Sequence, residues 1–280
     1  MVGIGRAPFG SRGILFTSGL AIFSMSLITL AALFITHTGN MRGTGGELAG
    51  VERVSYTYES IEKAARDVFE KSSGIAITSN TSTITFTETL PNALAPEYDW
   101  AIEALESFAE SYANQSGAEV SMDTSESRDT MPLRIGDYGI TVSHTNYGGN
   151  DLIVSPESIN FEAYEISLRV PANVTCSSNF VPGSNFTLRI SVTGDYGSSC
   201  YAEQTISAAG SSAYKIANNS VVVNVTNGVA FINTSLDGVK VEFAIVFGNL
   251  PEGMPVYSGD VIIVSSASPA ASKSSRVRLL

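Results

Sequence analysis

Histidine and cysteine are scarce in this sequence, at two of each in 280 residues: His37 and His144, Cys176 and Cys200. A zinc centre, or a nucleophile with its base, needs such groups clustered, and neither pair is spaced for it. His37 lies at the end of an apolar run, and His144 reads as a half-exposed residue of a strand. The sequence also lacks a Gly-x-Ser-x-Gly elbow, a phosphate-cradling loop and a dinucleotide fingerprint. Carboxylate pairs remain open as chemistry, because folding assembles them without a local motif. The reading is a non-enzymatic protein, with no catalytic residue, metal or cofactor assigned.

Charge is thin as well. Charged residues make up 15% of the chain, below the usual quarter, while Ser and Thr fill about a fifth. What charge there is divides unevenly. Residues 1–42 carry Arg6, Arg12 and Arg42 and no acid, whereas the remainder sets 13 Lys and Arg against all 27 acids, a balance of −14. A surface that acidic repels a phosphate backbone, which excludes nucleic acid as a partner. In "SMDTSESRDT", Asp123, Glu126 and Asp129 gather enough oxygens for calcium, but without the spacing of a calcium loop, and an ordinary solvated loop is the simpler reading.

One long apolar run stands out. From Ile14 to Ile35, 22 residues pass without charge or proline. As a helix they would extend roughly 33 Å, enough for a hydrocarbon core of about 30 Å. A secretory signal has a shorter apolar core and a small-x-small cleavage site; the nearest such site here is the weak Thr36-His37-Thr38. Arg6 and Arg12 upstream and the acidic mass downstream orient the run with the N-terminus in the cytoplasm. The expected location is the cell membrane, spanned once, with the bulk of the chain outside.

Arg12-Gly13-Ile14-Leu15 resembles the processing site of archaeal type IV pilin-like proteins, over about residues 12–36. The resemblance implies cleavage between Gly13 and Ile14, and a mature helix that either packs in a filament core or anchors the protein in lipid. Ser18 stands where bacterial pilins commonly carry a Glu. The partners implied are the lipid bilayer and copies of itself or other pilin-like subunits.

Two further features point outside the cell. Seven Asn-x-Ser/Thr sequons start at Asn80, Asn114, Asn173, Asn185, Asn218, Asn224 and Asn233. Sixteen Asn in so Ser/Thr-rich a chain would give about three by chance, so the excess reads as a glycosylated surface. In "VVVNVTNGVAF" Val221, Val223 and Val225 alternate to one face and Asn224 and Thr226 to the other. Cys176 and Cys200 read as one disulfide, with two reduced buried thiols as the alternative.

Five glycines between 39 and 50 make a hinge rather than a continuous helix. After it Val51, Val54, Tyr58, Ile61, Ala65 and Val68 repeat at helical spacing. "GIAITSNTSTITFTETLP" alternates about a Ser-Asn turn, and a second helix follows Pro96 with Ile102, Leu105, Phe108 and Tyr112 on one face. From about residue 117 short β-rich runs alternate with Gly, Asn and Pro; Asn227-Gly228 and Asp237-Gly238 read as hairpin turns, and "SSASPAASKSS" as a polar loop.

The fold class expected is therefore α+β: an N-terminal transmembrane helix, a small helix-hairpin-helix layer, then an antiparallel β-sandwich or jelly-roll-like domain. The corresponding segments are a cytoplasmic leader 1–13, a transmembrane or filament-core helix 14–36, a Gly-rich hinge 37–50, a neck 51–116 and an ectodomain 117–280. The function expected is a glycosylated cell-surface structural protein, possible as a filament or surface-assembly subunit. The alternative is an anchored carbohydrate- or ligand-binding ectodomain that does not polymerise and takes surface glycans, with Tyr138, Tyr147, Tyr196 and Tyr201 as an aromatic row.

Overall fold

Val54, Tyr58, Ile61, Ala65 and Phe69 recur every three or four residues, and this buried stripe belongs to helix α1, residues 48–72. The computed structural model describes residues 48–250, 254–267 and 270–280. α1 ends where Gly74 takes φ +70°, a conformation that costs a residue with a Cβ. A Cβ there would stand 2.8 Å from Asn92 Oδ1. Helix α2 (Ala95–Ser116) begins with Pro96 in its first turn and closes on left-handed Gly117, whose N–H bonds the Ala113 carbonyl. Its buried stripe is Tyr98, Ile102, Leu105, Ala109 and Ala113; Phe108 is exposed and Tyr112 half-buried, so the inward face is rotated from the one expected. The two helices run antiparallel. Arg53 of α1 donates to the Gly117 carbonyl at 3.4 Å, and Ser60 meets the Tyr112 hydroxyl at 3.4 Å.

Sixteen strands occur among the described residues, the first two between α1 and α2, with the short helix α3 (Ser125–Asp129) between the third and fourth. The first sheet takes β1 (Ala76–Ser79), β2 (Thr83–Leu90), β14 (Val239–Val246), β7 (Ala163–Arg169), β9 (Pro182–Thr193) and β10 (Ser199–Ile206), in that spatial order. Only the β7–β9 pairing in it is parallel. The second sheet has ten strands. Its order is β16 (Ala270–Arg278), β15 (Val256–Ala267), β4 (Leu133–Ile135), β5 (Ile140–Ser143), β6 (Asp151–Pro156), β13 (Val229–Thr234), β12 (Val221–Thr226), β11 (Ser211–Ile216) and β8 (Cys176–Asn179). β3 (Glu119–Asp123) pairs with β15 off that path.

Two covers close the large sheet. Toward its β16 end lie the helices: Arg66 donates to the Arg278 carbonyl at 2.9 Å, and Lys273 Nζ sits 4.3 Å above the Tyr58 ring. The rest faces the six-stranded sheet, as the bond from the Tyr164 hydroxyl of β7 to the Gly228 carbonyl shows at 3.0 Å. One continuous cluster of buried apolar side chains joins the helices to both sheets. Alternation explains the sandwich half: Ile84, Phe86 and Leu90, Val239 to Ile245 in steps of two, and Val221, Val223 and Val225 all point inward.

The expected fold class needs correction. Strands dominate, in two sheets, and the hairpin β1–β2 forms no separate layer with the helices: β2 pairs along its whole length with β14 and completes the first sheet. No helix among the described residues is long and apolar enough to cross a membrane. The span expected at 14–36 itself lies outside the described residues, as do the leader with Gly13 and Ile14, His37 and most of the hinge. The sandwich expectation holds.

Of the two expected hairpin turns, one forms and one does not. Asn227 and Gly228 are both left-handed, at φ 52° and 79°, and make the tight β12–β13 hairpin. Asp237-Gly238 instead carries the chain from β13 in one sheet to β14 in the other. Most of the stretch expected as a polar loop is paired strand, Ser265 against Ser272 and Val264 against Lys273.

Candidate functional site

Along β2 the inward positions read Ile84, Phe86, Glu88, Leu90, so one carboxylate occupies a core position. Along β5 they read Ile140 and Val142, and the next is His144. The two meet between the sheets. His144 Nε2 lies 3.0 and 2.9 Å from the two Glu88 oxygens, and the side chains are 1% and 2% exposed. Burial alone would push the imidazole pKa down; the hydrogen bond and charge of Glu88, then Asp151 and the Thr130 carbonyl, carry it above its ordinary value. Asp151, at the start of β6, accepts the Thr145 N–H at 3.0 Å. The charged form of the imidazole is therefore favoured over its ordinary balance, although Nδ1 closes no hydrogen bond.

The polar seam continues to the helices. Tyr147 packs edge-on to His144, with centroids 5.6 Å apart, and to Tyr98 of α2 at 5.5 Å. Its hydroxyl donates to the Ser73 carbonyl at the end of α1, which also accepts Asn92 Nδ2 at 2.7 Å. Burial pushes the Tyr147 phenol pKa up, and the charges of Glu88 and Asp99 add to it. Beyond Tyr98 stands Asp260 of β15, 3% exposed. Burial pushes its carboxyl up to about 6, against the lowering effect of Ser127 and Ser258. Ser258 donates to Oδ2 at 3.3 Å, while Oδ1 closes no hydrogen bond.

An imidazole, a carboxylate and a phenol in contact could relay a proton, but His144 and Glu88, 1% and 2% exposed, do not touch a solute. The seam joins both sheets to the ends of α1 and α2, and its chemistry is that of a lock. Here the sequence reading missed: His144 is buried and paired, not half-exposed. The signal was present, since Glu88 and His144 each continue the inward phase of an apolar strand.

The other expected residues scatter over the surface. Six of the seven sequon asparagines are exposed, and Asn224 is half-buried. Three sequons meet at one end of the sandwich: Ala217 N–H bonds the Thr175 carbonyl at 2.9 Å, and Ser235 N–H the Ser220 carbonyl at 2.7 Å. Beside them Cys176 and Cys200 form a disulfide with Cα atoms 6.3 Å apart. Cys176 is on β8, the last strand of the large sheet, and Cys200 on β10, the last strand of the small one. The bond therefore staples the two sheet edges together.

The aromatic row does not form. Tyr147 is buried and Tyr138 packs on Phe247 at 4.5 Å, whereas Tyr196 and Tyr201 are 100% and 64% exposed. Trp100, which the sequence reading passed over, is 72% exposed on α2 beside Pro96 and Glu97. The acidic loop does not converge either. Asp123 accepts Ser125 Oγ at 2.7 Å, Glu126 meets Arg134 at 3.5 Å and Arg276 at 3.4 Å, and the Asp129 carbonyl accepts the Tyr147 N–H at 2.7 Å. Among the described residues no three His, Cys, Asp or Glu side chains are grouped to hold a metal.

Compared with known proteins, the chain matches no family model, no curated protein and no solved structure.

Proposed function

We propose that this is a non-enzymatic cell-surface structural protein, a stapled and glycan-bearing β-sandwich displayed outside the cell. The observation that carries the reading is the Cys176–Cys200 disulfide between the two sheet edges. Such bonds form and persist in oxidising compartments. The exposed sequon asparagines and the acidic surface support the same location. The apolar stretch Ile14–Ile35 supports retention at the membrane, and Arg12-Gly13-Ile14-Leu15, with its similarity to archaeal type IV pilin-like processing sites, supports a role as an assembly subunit. The partners on this reading are the bilayer and further copies or related subunits.

N-terminal sequencing of protein labelled on intact cells tests it. A mature chain starting at Ile14 supports the processed, assembling subunit; an intact Met1 on the surface removes the pilin-like part and leaves an anchored protein. Failure to label the chain on intact cells overturns the reading.

Trp100 favours a second reading, a ligand-binding ectodomain, because an exposed indole beside a carboxylate suits a sugar ring. Trp100→Ala would then abolish glycan-array binding by the intact protein, and an array without signal sets this reading aside.

A further inference from the structure

Phe231 is an aromatic ring that the core leaves out. Its neighbours on β13, Ala230 and Ile232, are fully buried, so Phe231 stands on the outer face of the large sheet, half-buried. Directly across it are Ile153 of β6 and Asn224 of β12. Residues facing each other in an antiparallel pair have Cβ atoms about 4.5–5.5 Å apart, within reach of a ring. Asn224 opens the sequon Asn224-Val225-Thr226, and buried Val225 between them leaves Asn224 and Thr226 both on the outer face. On its far side Asn224 faces only Ala213, a small residue. No hydrogen bond among the described residues engages its side-chain amide.

We propose that Asn224 carries an N-linked glycan whose first sugar lies over the Phe231 ring and shields the apolar strip Phe231, Ile153 and Val222 from water. This rests on the reading of the protein as exported. A pyranose presents a face of C–H bonds, and an aromatic ring presents a negative π face, so the two stack and remove apolar area from water. Asn233, another sequon asparagine on the outer face of β13, has Val222 and Asp151 directly across it, whereas the residue directly across from Asn224 is the ring itself.

The transfer forms a bond from Asn224 Nδ2 to C1 of the sugar. It breaks the bond from that carbon to the phosphate of a lipid-linked oligosaccharide, which leaves with the electron pair, and the amide proton is lost. β12 is paired on both edges, to β11 and β13. The sequon is therefore modified before the strand pairs, and the sugar folds in with the sheet.

The test is glycopeptide mass spectrometry on the full chain from a host with N-linked glycosylation, combined with a thermal cycle of Phe231→Leu and Thr226→Ala. Thr226→Ala removes the sequon without touching Asn224. The expected result is a sugar on Asn224, and a midpoint lowered by Phe231→Leu about 2–4 °C more in the glycosylated chain than in Thr226→Ala. An equal effect in both backgrounds overturns the stacking. A bare Asn224 on chains labelled at the cell surface overturns the inference and leaves export standing, whereas a chain confined to the cytosol overturns export itself.

Discussion

The Glu88 carboxylate of one sheet holds the His144 imidazole of the other at 2.9 Å, with both side chains buried. Taking two charges out of water costs several kcal/mol each, and only their mutual attraction and hydrogen bonds offset it. Removing one partner leaves the other unpaired. Glu88→Ala is expected to destabilise the protein by about 3–5 kcal/mol in urea unfolding, and the double change Glu88→Leu, His144→Phe by much less. If the double change costs as much as the single one, the pair is not a lock.

The same pair sets a pH dependence. The folded pKa of His144 is above its ordinary 6.5, so the folded state binds more protons than the unfolded one over that interval. Its stabilisation is complete below 6.5 and is lost as pH rises through the folded value. Unfolding midpoints should therefore fall on passing from pH 6.5 into the alkaline range, and His144→Gln should flatten that decline.

Asp260 acts with the same sign at lower pH. Its carboxyl moves from 3.8 to about 6 on folding, so its contribution is present below 3.8 and lost by pH 6 and above. Asp260→Asn is expected to raise stability at pH 7.5 by about 2–3 kcal/mol and to remove the slope between pH 4 and 6. A variant less stable than the parent at pH 7.5 contradicts this.

The disulfide closes a sequence separation of 24 residues. Loop-entropy reasoning assigns such a crosslink about 3 kcal/mol. Cys176→Ser with Cys200→Ser should lower the denaturant midpoint accordingly, and reductant should then have no further effect on the variant.

Gly74 tests the junction where α1 meets the seam. Its φ of +70° and the 2.8 Å approach of Asn92 Oδ1 leave no place for a Cβ. Gly74→Ala is expected to cost about 1–3 kcal/mol. Because Asn92 also holds the Ser73 carbonyl, proteolysis near residue 73 should quicken in the same variant.

Local pattern carried the elements but not their assembly. Helical spacing marked α1, alternation marked β2 and β12, and Asn227-Gly228 marked a hairpin. Each depends on neighbours a few residues away. That β2 pairs with β14, some 150 residues later, has no local signal, so the hairpin read as part of a separate layer. Asp237-Gly238 likewise supplied a turn without saying that the next strand belongs to the other sheet. On α2 the small residues Ala109 and Ala113 are buried and the bulkier Phe108 is left outside, so side-chain size gave the wrong face. Glu88 and His144 were legible by phase alone, each continuing the inward phase of an apolar strand.

The most direct test of display outside the cell is the state of the two thiols in chains taken from intact cells. Alkylation before reduction should label neither Cys176 nor Cys200, and alkylation after reduction should label both. Chains recovered from the cytosol with both cysteines alkylated at the first step would contradict the proposed function.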